Sequence, residues 1–242
     1  MNGPHFGCSV LTTAYCPPVE YFYAIAHSDR VLIEQHEAYQ KQSWRNRCRI
    51  LSAAGPEDLS IPVVKEERLS RPIRDIRIDY GEPWLQHHVR ALSAAYNHSA
   101  FYDYYADDLI PILERKPSFL FDLNQLLLEK LLSLLGLDTP VTLTEAYFKN
   151  YQAVEEIHVE RRPGGAPKGD MDFFDGRSRI QPKYKGESLL AEYGGEQAYY
   201  QVFVNQIPGQ ARNDGTSSFI PNLSILDLLS AEGPDAGAFL RT

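Results

Sequence analysis

The sequence predicts an α/β fold: a mainly parallel sheet opened by a βαβ unit, with a β-hairpin extension and a helix-rich second half. Three observations carry this. Residues 8–33 run apolar strand, proline turn, apolar helix, strand, and such units nearly always belong to a parallel sheet. Residues 46–64 hold two strand-like runs around Gly55-Pro56-Glu57-Asp58, which is turn chemistry. Residues 84–135 repeat their apolar side chains with helical period.

Residues 8–13 read as a short buried strand, punctuated by Pro17-Pro18. Residues 19–26, with Tyr21, Phe22 and Ile25, continue as a helix that Asp29 ends, and residues 30–33 give the second strand. Residues 46–52 and 59–64 make the hairpin. Residues 73–80 alternate Ile76, Ile78 and Tyr80 against Asp75, Arg77 and Asp79, the pattern of a half-buried strand. The helix at 84–96 places Leu85, Val89, Leu92 and Tyr96 on one face, and residues 101–113 continue the layer. Ser118 is suited to cap a helix running to Leu135, with Gly136 just past its end. Residues 141–148 read as a strand. Residues 161–195 are rich in Gly, Pro and charge and read as long loops. A short strand at 199–204 and a turn-rich loop at 212–218 follow. Asn222 then caps a last helix, 223–229, stopped by Gly233-Pro234. No internal repeat or clean linker divides the chain, so residues 1–242 are expected to form one domain.

The formal net charge is -8. That excludes a general nucleic-acid binder, because phosphate affinity needs a cationic surface, but it allows a local basic pocket. Cys8, Cys16 and Cys48 form neither a disulfide framework nor a structural zinc site. Free thiols fit a reducing compartment, and the first residues lack the apolar run of a signal peptide. The most apolar stretch, 119–135, is broken by charge, so no membrane insertion is expected. A cytoplasmic location follows.

The chemistry concentrates in EQHEAYQKQSWRNRCR, residues 34–49. Lys41, Arg45, Arg47 and Arg49 are four of the chain's 24 basic residues in these 16 positions, over twice the chain average. On a strand, Arg45, Arg47 and Arg49 share one face. Three guanidiniums in a row repel one another unless they meet carboxylates or an anionic ligand. One reading is therefore an anion site. The other is an exposed ionic face, since Glu37, Lys41, Arg45 and Arg49 are spaced four apart and would pair on a helix. His36 is a candidate general base oriented by Glu34 or Glu37, or a structural histidine paired to a carboxylate. A metal site on Glu34 and His36 would need ligands from elsewhere, so no metal and no cofactor is assigned. Cys16 lies in the turn after the first strand, where α/β proteins present ligand-facing residues, but with no base in view it reads first as a small buried hydrophobe. His87 and His88 open a helix, as a neutral hydrogen-bonding group or a surface pair. Near the C-terminus, Ser224 and Asp227 share a helical face beside Asn222. No nucleophile-elbow, P-loop or dinucleotide fingerprint is present.

In order along the chain, AYCPPVEYFYAIAHSD, VLIEQHEAYQKQSWRNRCRI, LSIPVV, PWLQHHVRALSAAY, RSRIQPK, YYQVF and FIPNLSILDLLSAEGP resemble the WbqC-like protein family. The stretches 41–47 and 219–227 are the most specific. The resemblance implies a setting in bacterial surface-polysaccharide synthesis, notably O-antigen, and in related amino-sugar pathways. It leaves the reaction undefined. The first expectation is an acyl or aminoacyl transferase acting on an amino sugar, carried on a nucleotide. Lys41, Arg45 and Arg47 would hold the phosphate or carboxylate, and His36 would take the acceptor's proton. Asn46 and Tyr39 would orient the sugar. Lys183, Asn222, Ser224 and Asp227 would complete the site. Alternatives are a non-catalytic accessory protein binding an anionic sugar, and a metal-dependent hydrolase.

Overall fold

The computed structural model describes residues 4–65, 71–149, 173–193, 199, 201 and 220–242. The chain opens as its apolar pattern dictates. Strand β1 (Cys8–Thr12) leads through Pro17-Pro18 into helix α1 (Val19–Ala26) and strand β2 (Val31–Glu34). Strand β5 (Val141–Leu143) adds beyond β2, and β6 (Phe173–Asp175) adds on the other side of β1. The order is β5-β2-β1-β6, with every pairing parallel. Side chains alternate across this sheet. Leu11, Val31, Ile33 and Phe174 join the main core, while Cys8, Val10 and Leu32 pack with Phe148 in a small second cluster.

The hairpin, β3 (Arg47–Ser52) with β4 (Gly55–Ser60), is a separate antiparallel sheet and does not extend the parallel one. It packs against α2 (Trp84–Tyr96) and α7 (Ile225–Glu232). Its tip is Ala53-Ala54, not the expected Gly55–Asp58 turn, because Ser52 pairs with Gly55 and Arg49 with Asp58. Gly55 supplies the positive φ of 116° at the tip. Pro56 is tolerated because β4 has a free edge.

Residues 73–80 form no strand. Ile73–Asp75 is a 3-10 turn after Pro72, and only isolated bridges follow, Val63 to Ile78 and Arg77 to Phe119. The buried isoleucines gave the right core and the wrong backbone. Helix α2 buries Trp84, His88 and Leu92 along one stripe, leaving Leu85 and Val89 only partly covered. Helices α3 (Tyr102–Glu114) and α4 (Leu120–Leu135) pack on each other. Phe119, not Ser118, is the N-cap of α4, and Gly136 ends it in the left-handed conformation, φ 59°. No described helix is long and apolar enough to cross a membrane.

The expected strand at 141–148 shortens to β5. Within the expected long loops of 161–195, the chain forms β6, then α5 (Gly176–Arg179) and α6 (Leu189–Tyr193). Apart from Tyr199 and Gln201, the expectations for 199–204 and 212–218 lie outside the described residues. Ser224, not Asn222, caps α7, its hydroxyl accepting from the Leu226 amide. Asn222 instead takes a left-handed turn, φ 64°. Gly233 ends α7, and a 3-10 turn leads to α8 (Ala236–Phe239).

Candidate functional site

In an open parallel sheet, ligands sit beyond the carboxyl ends of the strands. A cleft of about 590 Å³ lies there. Its walls come from the segment after β2 (Glu37 to Arg45), from Tyr147 after β5, and from Asp175 to Lys185 at and after β6. Lys41, Arg45, Arg177, Lys183 and Lys185 line it against two carboxylates, Glu37 and Asp175.

Glu34 ends β2 and is fully buried. Its carboxylate accepts from the His36 amide at 2.7 Å, the Thr144 hydroxyl at 3.1 Å and the Phe148 amide at 2.6 Å, and lies 3.9 Å from an Arg177 nitrogen. It ties the ends of β2 and β5 together and does not line the cleft. The His36 ring Nε2 lies 3.0 Å from the Thr144 carbonyl, so the ring donates there and is tied to the segment after β5, outside the cleft lining. The expected base His36 and one of its two expected orienters, Glu34, are therefore tied into the ends of β2 and β5, while the other, Glu37, reaches the cleft.

Glu37 and Arg45 form the cleft floor. The guanidinium meets the carboxylate through two contacts, Nε to Oε1 at 2.8 Å and Nη2 to Oε2 at 2.6 Å. Burial pushes the Glu37 carboxyl up, and Arg45 opposes the shift. Asp175 caps α5 by accepting from the Arg177 amide. It also takes that residue's side chain at 2.9 and 2.7 Å, while another Arg177 nitrogen donates to the Phe148 carbonyl. Gly176 lets the turn close: a Cβ there would lie 2.5 Å from Leu11 Cδ2. Across the mouth, Lys183 Nζ donates to Gln42 Oε1 at 2.6 Å. Gln42 sits at φ 57°.

The other expected residues stand apart. Arg45, Arg47 and Arg49 do not share one face as free cations: Arg47 and Arg49 both pair with Asp58, at 3.1 and 2.7 Å. Asn46 donates to the Ile61 carbonyl and joins the hairpin to its base. Tyr39 packs against the core beside the cleft segment. Ser224 donates to the Cys16 carbonyl and pairs with Pro18, so residues 222–227 seal the proline turn and contribute no side chain to the cleft wall. Asp227 is buried, and burial raises its carboxyl to about 6, opposed by the hydroxyls of Tyr199 and Tyr96. Cys16 and Cys48 are core. His88 is buried with the Tyr15 hydroxyl 3.0 Å from its ring, and burial lowers it to about 4. His87 stays exposed. Among the described residues, no group of three or more His, Cys, Asp or Glu is arranged to hold a metal ion.

The sequence reading reached Glu37, Lys41, Arg45 and Lys183. It missed Tyr147, Asp175, Arg177 and Lys185. The signal was there: two phenylalanines, then Asp175-Gly176-Arg177, form a strand end and a helix cap. A segment dense in Gly, Pro and charge hid it.

The model of the WbqC-like protein family matches residues 13–162. An uncharacterized protein of Mycobacterium tuberculosis is 30% identical over 241 residues, covering 96% of each chain. No solved structure matches the chain. The wall from Asp175 to Lys185 lies beyond the stretch that the family model matches.

Proposed function

The chain belongs to the WbqC-like protein family, and from that premise we propose that its cleft binds an anionic amino sugar and serves acyl or aminoacyl transfer to it. The observation that carries this is the cleft's charge: five basic side chains against two acidic ones, in a chain of net charge -8. Lys41 and Lys183 take the ligand's anionic group. Glu37 faces the same space, and its raised affinity for protons suits a base that relieves the acceptor amine as it attacks the acyl carbonyl. His36 and Glu34 position that loop. The setting is the cytoplasmic stage of surface-polysaccharide synthesis, with a small anionic sugar as partner.

The experiment is incubation of the purified protein with nucleotide-linked amino sugars and activated acyl donors, read by mass spectrometry, with binding read by calorimetry. Glu37→Gln should lower turnover at least a hundredfold, with binding and the melting temperature read on the same variant to separate lost chemistry from a disturbed cleft floor. Failure of every acceptor and donor to bind or react sinks the proposal. One observation favours a second reading, a binding protein without catalysis. Both Glu37 oxygens are held by Arg45, and the His36 ring is held by a carbonyl. Binding without turnover of any pair would select it.

A further inference from the structure

Resting on the anion-cleft reading, we infer that the cleft mouth is a diphosphate seat, taking a nucleoside diphosphate or its sugar ester rather than a carboxylate ligand. The cleft's cations divide into those already paired and those left open. Arg45 is committed to Glu37 through two nitrogens. Arg177 is committed to Asp175 through two nitrogens and to the Phe148 carbonyl through a third. Guanidinium is the group whose fork matches a carboxylate. Both forks of the cleft are filled by the protein's own carboxylates.

The remaining cations are lysines. Among the described residues, Lys183 meets the neutral amide oxygen of Gln42 and no carboxylate. Lys41 and Lys185 have no carboxylate partner among the described residues. Three compact ammonium charges in one cleft repel one another until a multiply charged anion arrives. A single carboxylate would leave two of them uncompensated. Two linked phosphates, carrying two or three charges and several acceptor oxygens, match all three. Lysine binds phosphate as a point charge without needing a fork.

The walls supply the second half of the ligand. Tyr147 and Tyr184 line the same cleft and are 53% and 41% exposed. Arg179 lies over the Tyr184 ring at 5.9 Å, which turns that ring into a braced platform. A flat base or a sugar face stacks on such a ring. The volume of about 590 Å³ lies within the range typical of small-molecule pockets.

The test is calorimetry on the full chain at fixed ionic strength. The probes are inorganic pyrophosphate, inorganic phosphate, malonate and uridine diphosphate. Pyrophosphate should bind at least tenfold more tightly than phosphate or malonate, and uridine diphosphate more tightly still. Lys41→Ala and Lys185→Ala should each weaken pyrophosphate about tenfold. Tyr147→Ala should weaken uridine diphosphate and leave pyrophosphate unchanged. Malonate binding as well as pyrophosphate would overturn the diphosphate seat while keeping an anion cleft. Binding of none of the four would overturn both readings. The lysines and Tyr147 are exposed, so these variants should fold, and a melting temperature matching the parent checks it.

Discussion

Residues 34–49 send their basic side chains to two places with opposite electrostatic outcomes. Arg47 and Arg49 leave on the hairpin and share Asp58, which stands opposite Arg49 in the ladder. Lys41 opens onto the cleft, facing Lys183 and Lys185 from a distant part of the chain. Beneath it, Arg45 is spent on Glu37. Charge density along the sequence is the same for all four. What separates them is whether the fold brings a carboxylate into register, and that depends on pairing far from the segment.

The largest expected effect lies at the buried Glu37–Arg45 pair. Arg45→Ala leaves the buried Glu37 carboxylate at the cleft floor without its cation and should lower the unfolding free energy by roughly 3–5 kcal/mol. Urea titration reads it, and a loss below ~1 kcal/mol would mean the floor does not depend on this pair. The next largest effect is at Asp227, buried with no cation beside it among the described residues. Its folded value of about 6 lies above the ordinary 3.8. The folded state therefore holds the proton longer, and the stability this gives is full below the ordinary value and lost as pH rises through about 6. Asp227→Asn should therefore be more stable than the parent at pH 8, by up to about 3 kcal/mol, with the gap closing near pH 4. Melting temperatures across that range decide it; a gap independent of pH would assign the effect to packing.

Smaller effects sharpen the contrast. Lys41→Ala should cost pyrophosphate binding about tenfold, ~1.4 kcal/mol, while Arg49→Ala leaves it unchanged. Equal losses in the two variants would erase the distinction between paired and unpaired cations. Smallest is Asp58→Asn. It frees two partly exposed arginines and should cost less than ~1 kcal/mol, a difference that 1 M salt removes.

The opening βαβ unit and the long helices were legible because their side chains repeat with the period of their own backbone. The hairpin was legible in kind and displaced in register. Gly55, Pro56 and Asp58 carry turn chemistry, and only an edge strand lets them pair. That slip hid Asp58 as the partner of Arg47 and Arg49, and with it the reason those cations are already paired. Half the cleft was read from residues 37–45. Of the other half only Lys183 was read, because β6 is three residues long and its pairing partner, β1, stands near the start of the chain. Ser224 and Asp227 looked like site residues because polar groups in an apolar helix invite a functional reading. One caps the helix, and the other is sealed beneath it.

The pairing of β6 with β1, Phe173 opposite Cys8, also sets an order of events. As the chain is synthesised, β1, β2 and the hairpin can assemble long before β6 exists, and closing so large a loop is slow. One wall of the cleft then waits, with Lys41 and Glu37 in place, for the other to dock. The complete cleft is therefore a property of the finished molecule only. Once both walls are present, an anion spanning them would act as a clasp, slowing the departure of β6 more than the unravelling of any other strand.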